Sequence, residues 1–286
     1  MIKKIILLLT AFFPVILHAQ TGKIFDNQSF TSKTLKSERQ YAIYLPPDYE
    51  SSNRSYPILY LLHGAGDDHT GWVQFGEVLN ITDKAIREGK ATAMIIVMPD
   101  ANTGYRGYFN RVKGDWDYED FFFKELMPFV EKKYRVKSDK RYRAIAGLSM
   151  GGEGTFLYAL HHPVLFSSAC PLSAATGFWN MEETKEYCKE EYPPATDELI
   201  KNYYRMYSVE EQLKAVADAK KKELRWYIDC GDDDFLYEGN AKVHVLMRKL
   251  NIPHEYRVRD GAHNWTYWRA SLPAVLEFVS QGFHQF

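Results

Sequence analysis

The chain has 286 residues, of which 45% are hydrophobic, 26% charged and 15% aromatic, and 36 basic against 37 acidic side chains give a formal charge of −1. This is the composition of an ordinary globular protein. The near balance of charge argues against a nucleic-acid-binding protein, because phosphate recognition depends on an excess of clustered Lys and Arg.

The first 20 residues have the pattern of a secretory signal peptide. Two lysines follow Met1, an apolar run extends from Ile5 to Leu17, and Ala19 is a small residue near a cleavage site. A bilayer span needs about 20 apolar residues, so a retained anchor is the less favoured alternative. We expect cleavage after Ala19 or Gln20, export to the periplasm or the medium, and no stable membrane insertion afterwards.

Two extended segments follow the leader, at residues 28–35 and 39–45, and end at a Pro-Pro pair. Proline is not tolerated in a helix interior or a central strand, so this pair of segments is predicted to form an antiparallel edge. The later strand-like segments are short apolar runs, most of them without alternation, which is typical of strands buried on both faces. These runs are residues 57–62, 93–98, 142–146, 167–172, 224–230 and 255–258.

Helical patterns separate these runs. Apolar residues recur at three- and four-residue intervals over about 116–134, and Ser208 with Glu211 forms a capping box that predicts a helix to about residue 222. Strands that alternate with helices imply an α/β fold with a mostly parallel sheet and helices on both faces. No repeat, low-complexity tract or linker divides residues 21–286, so a single domain is predicted.

Two segments are longer than a connection requires, namely residues 100–115 and 175–207. Long loops after parallel strands lie at the carboxyl edge of the sheet, where α/β proteins bind ligands. Both are therefore candidate walls of a site, and the 175–207 insertion is a candidate lid.

The cysteines are Cys170, Cys188 and Cys230. An odd number of cysteines cannot pair completely, and Cys170 and Cys230 lie in apolar strand-like runs where buried free thiols are expected.

The strongest chemical signal is Gly-x-Ser-x-Gly at residues 147–151, between a predicted strand and a helix over about 153–161. The glycines permit a sharp turn that exposes Ser149 at the helix N-terminus, where free N–H groups favour a developing negative charge. The alternative is an ordinary glycine-rich turn with an incidental serine.

A serine nucleophile needs a histidine base and an acid, in the chain order Ser, Asp, His. Among the downstream histidines, only His263 lies in a loop between a predicted strand and a helix at the carboxyl edge of the sheet. The others lie at a helix end, within a helix, at a strand start or in the tail, at His161, His162, His244, His254 and His284.

The acid follows the preceding strand, where Asp232, Asp233 and Asp234 are adjacent and spacing alone leaves the choice open. A metal site is the competing interpretation of this cluster. We expect no metal there, because adjacent side chains point in different directions and no matching His or Glu group is visible.

An oxyanion hole is predicted where a strand runs into His-Gly-x-Gly at residues 63–66. This arrangement resembles the loop whose backbone N–H acts together with that of the residue after the nucleophile. Ala65 and Met150 are the predicted donors. His63 is interpreted as a structural residue that braces the loop, since an earlier histidine does not fit the required order.

Together these motifs resemble the esterase D-like, carbohydrate esterase family 1-type branch of the α/β-hydrolase superfamily. That branch includes S-formylglutathione hydrolases, feruloyl and acetyl xylan esterases, enterochelin esterase-like proteins and mycolyltransferases. The resemblance is carried by residues 44–49, 61–64, 71–72, 98–100, 147–152, 230–234 and 261–263.

The resemblance implies an α/β-hydrolase fold, Asp234 as the acid, and a cofactor-independent serine esterase that forms an acyl-enzyme. Export argues against a cytosolic thiol substrate. The implied substrate is a small-molecule or oligosaccharide ester, with feruloyl or acetyl groups on plant xylan favoured. Aromatic residues in the predicted site loops are candidate stacking surfaces for a sugar or a hydroxycinnamoyl ring, namely Trp72, Tyr105, Tyr108, Phe109, Trp179 and Trp265.

Three alternatives remain open at this point. A siderophore trilactone hydrolase requires cationic groups around the site, for which Arg106 and Arg111 are candidates. An acyltransferase uses the same triad with a sugar hydroxyl in place of water. A non-catalytic glycan-binding protein on a hydrolase scaffold is disfavoured by the intact set of Ser149, Asp234 and His263.

Overall fold

The computed structural model describes residues 21–101 and 107–284, where eight strands form one mixed sheet in the order β1-β2-β4-β3-β5-β6-β7-β8. The predicted signal peptide, residues 1–20, lies outside the described residues. The strands are β1 Lys23–Ser32, β2 Ser37–Leu45, β3 Ile58–Leu62, β4 Ile95–Pro99, β5 Arg143–Leu148, β6 Ser168–Leu172, β7 Arg225–Gly231 and β8 Glu255–Arg259.

The antiparallel N-terminal edge is confirmed. β1 pairs antiparallel with β2, and β2 pairs antiparallel with β4, whereas β4, β3, β5, β6, β7 and β8 run parallel to one another. β1 begins earlier than predicted, at Lys23, because the edge tolerates polar residues and a register irregularity between Phe25 and Gln28. The central strands β3, β4 and β6 are buried along their whole length, which explains why their sequences do not alternate.

Helices cover both faces of the sheet. Their bounds are α1 Gly71–Gln74, α2 Val78–Arg87, α3 Tyr118–Phe121, α4 Met127–Lys133, α5 Met150–His161, α6 Met181–Glu191, α7 Asp197–Tyr207, α8 Val209–Ala215, α9 Tyr237–Lys249 and α10 Trp265–His284. One core packs strand side chains such as Tyr60 against α3, α4, α5 and α9. The other packs side chains such as Leu61 against α2 and α10.

Two predicted helices differ from the observed ones. The 116–134 helix is interrupted by a π-helical turn over Phe122–Leu126, directly before Pro128, which has no N–H to continue the α-helical ladder. The helix predicted to reach residue 222 ends at Ala215, because Val216 and Ala217 have extended backbone, with ψ of 119° and 141°, before a short 3₁₀ turn over Asp218–Lys220. Its predicted cap is present, since the Ser208 hydroxyl accepts the Glu211 N–H at 3.4 Å.

The 175–207 insertion folds into α6 and α7 and contributes to the main core. Phe178, Ile200, Tyr203 and Tyr207 are buried in the same cluster as the sheet side chains. A hinged opening of the insertion has to expose these side chains, so movement as a lid stays a prediction that this packing disfavours.

Cys170, Cys188 and Cys230 are buried free thiols, as predicted for the two in strands. Within residues 21–101 and 107–284, no helix is long and apolar enough to cross a membrane.

Candidate active site

Ser149 lies at a strained turn between β5 and α5. It adopts φ 54° and ψ −116°, a region that non-glycine residues rarely occupy. Its N–H donates to the Leu172 carbonyl at 2.9 Å, and its carbonyl accepts the Ala175 N–H at 3.1 Å, so the next parallel strand holds the turn in place. A Cβ on Gly151 would lie 2.6 Å from the His63 carbonyl oxygen, which shows why the motif requires glycine there.

The structure brings the three predicted catalytic residues together. His263 Nε2 lies 2.9 Å from Ser149 Oγ, and His263 Nδ1 lies 2.9 Å from Asp234 Oδ2 and 3.0 Å from Oδ1. A carboxylate only accepts, so Nδ1–H donates to Asp234 and leaves the Nε2 lone pair directed at the serine hydroxyl. This arrangement of donor and acceptor is the one that a general base requires.

Asp234 is a fully buried carboxylate that is held ionised. Burial by itself raises the pKa of this carboxyl, but hydrogen bonds from His263, the Leu236 N–H and the Ser173 hydroxyl outweigh that effect and lower it. The side chain is therefore a fixed negative charge beneath the imidazole.

The neighbouring aspartates have a different environment. Asp232 and Asp233 are exposed, and the Asp232 carboxylate accepts the Gly261 N–H at 3.0 Å instead of contacting His263. Carboxylate oxygens of Asp232, Asp233 and Asp260 lie within 4.8 Å of one another, so the expectation that adjacent side chains diverge is wrong at this turn. Exposed acidic groups are common without a bound ion.

The predicted oxyanion loop lies directly over the nucleophile. A Cβ on Gly64 would lie 2.6 Å from Leu148 Cδ1 and 3.4 Å from Ser149 Cβ. The Ala65 N–H donates to no group in the part of the chain that the structure describes. Met150 is the first residue of α5, where N–H groups have no intrahelical acceptor. Both predicted donors are thus available on the two sides of Ser149.

His63 braces this loop, as the sequence indicated. The Ala101 N–H donates to its Nε2 at 2.8 Å, so Nδ1 carries the proton and donates to the Gly64 carbonyl at 2.8 Å. Burial lowers the pKa of His63 despite that hydrogen bond, which keeps the ring neutral. Tyr108 adds a second brace, because its hydroxyl accepts the His63 N–H at 2.9 Å and donates to the His63 carbonyl at 3.1 Å.

Comparison with known proteins identifies the family of this chain. The Esterase family model, described as "Putative esterase", matches residues 32–279. The chain belongs to this esterase family. An endo-1,4-beta-xylanase/feruloyl esterase from Xylanibacter ruminicola is 33% identical over 259 residues, or 87% of this chain. The esterase spans only 30% of that relative's length and 27% of the next relatives it matches.

Solved structures share the fold of this chain over about nine tenths of its length. A structure titled ferulic acid esterase matches with a TM-score of 0.80 and 35% identity, covering 92% of the esterase and 99% of that chain. An S-formylglutathione hydrolase from Staphylococcus aureus matches with a TM-score of 0.74 and 20% identity, covering 91% and 99%. The predicted α/β-hydrolase fold, with its mostly parallel sheet and antiparallel edge, is confirmed.

The sequence missed two residues that hold the acid and the base of the esterase site. Ser173 is fully buried at the end of β6, and its hydroxyl accepts the Trp268 indole N–H at 3.0 Å and hydrogen-bonds Asp234. The Trp268 ring packs edge-on against His263, with centroids 4.9 Å apart. Ser173 follows a buried parallel strand just as Ser149 does, which is the one sequence signal that points to it.

The predicted stacking residues of the esterase are only partly available. Trp72 and Tyr108 are fully buried, so their assignment as ligand surfaces is wrong: the Trp72 indole donates to the Leu62 carbonyl at 3.0 Å, and Tyr108 braces His63. Phe109 is likewise buried, against Tyr207. Tyr105 and Arg106 lie outside the described residues.

Two predicted aromatic residues do reach the surface of the esterase. Trp179 and Trp265 are half-buried, and Trp265 packs edge-on against Trp72 and Trp268, with both centroid distances 5.2 Å. Phe235, which the sequence did not single out, lies 4.5 Å from the His263 ring and is 72% exposed.

The cationic residue expected for a siderophore hydrolase is neutralised. The Arg111 guanidinium pairs with Glu191 and with Asp115, the latter at 2.9 Å. Its charge is therefore directed at the insertion and at its own loop, which weakens the siderophore alternative.

Proposed function

We propose that this chain is a serine carboxylesterase that hydrolyses acyl esters through an acyl-enzyme. The observation that carries the proposal is the continuous hydrogen-bonded chain from Ser149 through His263 to buried Asp234, with bonds of 2.9 Å at both junctions. Two backbone donors flank the same serine. Nucleophile, base, acid and oxyanion donors are the parts that acyl transfer requires.

The proposed reaction begins with attack of Ser149 Oγ on the ester carbonyl carbon, while His263 Nε2 takes the hydroxyl proton. Asp234 stabilises the resulting imidazolium and holds its orientation. The N–H groups of Ala65 and Met150 bind the oxyanion of the tetrahedral intermediate, and loss of one such donor costs about 10²–10³-fold in rate. His263 then protonates the departing alcohol oxygen, and water repeats the sequence on the acyl-enzyme.

We propose feruloyl or acetyl esters on plant xylan as the substrate class. The support is the similarity of the chain to a xylanase/feruloyl esterase, to a ferulic acid esterase and to an acetyl esterase from Caldicellulosiruptor saccharolyticus. The exposed Phe235 ring beside His263 is compatible with a sugar ligand.

The test is mass spectrometry of the products after incubation with arabinoxylan fragments that carry both ferulate and acetate, with and without a sugar acceptor. We expect the wild type to release ferulate or acetate and Ser149→Ala to release neither. Transfer of the acyl group to the acceptor would instead identify an acyltransferase. Release by Ser149→Ala at the wild-type rate would contradict the proposed nucleophile.

We also propose that residues 1–20 are a signal peptide and that the mature esterase is exported. The support is the charged start, the apolar run and Ala19. The intact mass of protein recovered outside the cytoplasm should correspond to cleavage after Ala19 or Gln20. An uncleaved mass in that fraction would contradict the proposal.

A further inference from the structure

A surface groove leads away from the candidate active site along α9. Two hollows form it, with volumes of about 420 and 580 Å³, and they share Trp179, Glu238 and Lys242, so they are continuous. We name it the α9 groove and define it by Thr176, Trp179, Phe235, Tyr237, Glu238 and Lys242. No step of the proposed reaction uses these side chains.

The inner end of the α9 groove is lined by residues that contact His263 and Ser149. Phe235 lines its inner hollow and lies 4.5 Å from the His263 ring. Ala175 lines the same hollow and donates its N–H to the Ser149 carbonyl. A molecule that extends from Ser149 past His263 therefore enters this groove.

The direction of proton transfer decides which half of the ester lies there. His263 Nε2 gives its proton to the alcohol oxygen as the ester bond breaks, so the alcohol has to lie on the His263 side of the scissile bond. The α9 groove opens on that side, at Phe235. It is consequently a site for the alcohol portion of the ester and not for its acyl group.

The lining indicates what kind of alcohol fits. Phe235 and Tyr237 expose aromatic faces, and the Lys242 ammonium lies 5.4 Å from the Trp179 ring centre and 2.7 Å from the Glu238 carboxylate. The two hollows are lined by four carboxylates, of Glu153, Glu183, Glu210 and Glu238, and by two ammonium groups, of Lys242 and Lys249, so the groove offers an excess of hydrogen-bond acceptors for sugar hydroxyls beside aromatic surface. A chain of neutral sugars presents apolar C–H faces and hydroxyl edges, which match this lining.

We propose that the α9 groove binds the oligosaccharide to which the acyl group is attached, over several sugar units. This inference rests on the proposed esterase function and adds to it that recognition extends beyond the scissile bond on the alcohol side. Two contiguous hollows are larger than a methyl or ethyl alcohol requires. The esterase should therefore prefer an acylated oligosaccharide to a simple ester of the same acid.

The kinetic test compares feruloylated arabinoxylo-oligosaccharide with methyl ferulate for the wild type, Trp179→Ala and Tyr237→Ala. We expect the ratio of kcat/KM values, oligosaccharide over methyl ester, to fall about tenfold in each variant, because a stacking surface is lost. Phe25→Ala, which removes an exposed aromatic residue on β1, is the matched control and should leave the ratio unchanged. Tyr237 is 56% exposed, so Tyr237→Ala should fold like the wild type. The test therefore stays valid if Trp179→Ala fails to fold.

A binding test separates failure of this inference from failure of the esterase function. Calorimetric titration of the wild type with unesterified xylo-oligosaccharide requires no hydrolysis, and we expect saturable binding that weakens about tenfold in Trp179→Ala. Absence of binding, or a wild type that hydrolyses both esters with no preference for the oligosaccharide, would overturn the groove assignment. Binding without hydrolysis of either ester would support the groove and contradict the proposed function.

Discussion

Two serines that directly follow neighbouring strands both have positive φ but have different surroundings. Ser149 follows β5 and Ser173 follows β6, the two strands pair in parallel, and the serines have φ of 54° and 43°. The Ser149 hydroxyl is half-buried and faces His263 Nε2, whereas the Ser173 hydroxyl is fully buried between Trp268 and Asp234.

The comparison teaches that the strained turn alone does not make a nucleophile. Both turns hold a serine hydroxyl at the carboxyl edge of the sheet, yet of the two only Ser149 has a base within hydrogen-bond reach and, among the residues that the structure describes, N–H groups beside it without an acceptor. Ser173 instead helps to hold the acid that orients that base. One serine is therefore expected to react and the other to position.

The largest expected effect is that of Ser149→Ala, which removes the attacking oxygen. We predict that kcat/KM on an aryl ester falls by about 10⁴-fold or more, since triad nucleophiles in serine hydrolases have effects of this size. The melting temperature should stay near that of the wild type or rise, because alanine replaces a hydroxyl that contributes only to the site. A loss smaller than about a hundredfold would mean that another group attacks the ester.

The second-largest expected effect is that of replacing Asp234. This acid hydrogen-bonds Ser173 directly and is linked to Ser149 through His263. Asp234→Asn should lower kcat about 10²–10⁴-fold, because an amide cannot hold the imidazole in the required tautomer or stabilise its charge. Asp233→Asn is the matched control, since that exposed neighbour does not contact His263. If the control lost as much activity as Asp234→Asn, the acid would have been assigned to the wrong residue.

Substitution of Ser173 should have a smaller effect. Ser173→Ala and Ser173→Gly both remove the hydrogen bonds to Asp234 and Trp268, and we predict a fall in kcat of about tenfold in each, equivalent to the net free energy of one or two hydrogen bonds. Glycine tolerates positive φ, so Ser173→Gly should be more stable than Ser173→Ala by about 1 kcal/mol in denaturant unfolding. An unchanged kcat would show that Ser173 does not position Asp234 for catalysis and has only a structural role.

The smallest effect is on stability in acid. Because the pKa of Asp234 is lowered in the folded state, its carboxylate contributes stability above the unfolded value of about 3.9, and that contribution is lost as pH falls through the folded value. Asp234→Asn should thus flatten the decline of melting temperature below about pH 4. Parallel curves for wild type and variant would indicate that this carboxyl is not held ionised by its neighbours.

The positions and burial of central strands such as β3 and β6 could be predicted because each is a short apolar run with both faces buried. Ser149 and His263 could be singled out because a glycine motif and a strand–loop–helix context are local properties. Spacing did not distinguish Asp234 from its neighbours, since only the tertiary fold buries one of the three carboxylates and directs it at His263. The resemblance to a family supplied that choice.

The wrong or missing predictions around the site also arise from contacts between segments that are distant in sequence. Trp72 lies in α1 and Tyr108 in the 100–115 segment, and packing from distant segments buries both side chains. Phe235 and the α9 groove combine residues near 176 with residues near 240, a distance along the chain that no local pattern covers. The side chains that react were thus more predictable than those that surround the substrate.

The most direct test of the central claim is to label the protein with a fluorophosphonate probe and map the modified peptide by mass spectrometry. Ser149 and Ser173 both follow a parallel strand and both have positive φ, so the label reports which one is activated. We predict covalent modification at Ser149 alone, abolished in both Ser149→Ala and His263→Ala. Modification of Ser173, or undiminished labelling of Ser149→Ala, would contradict the account.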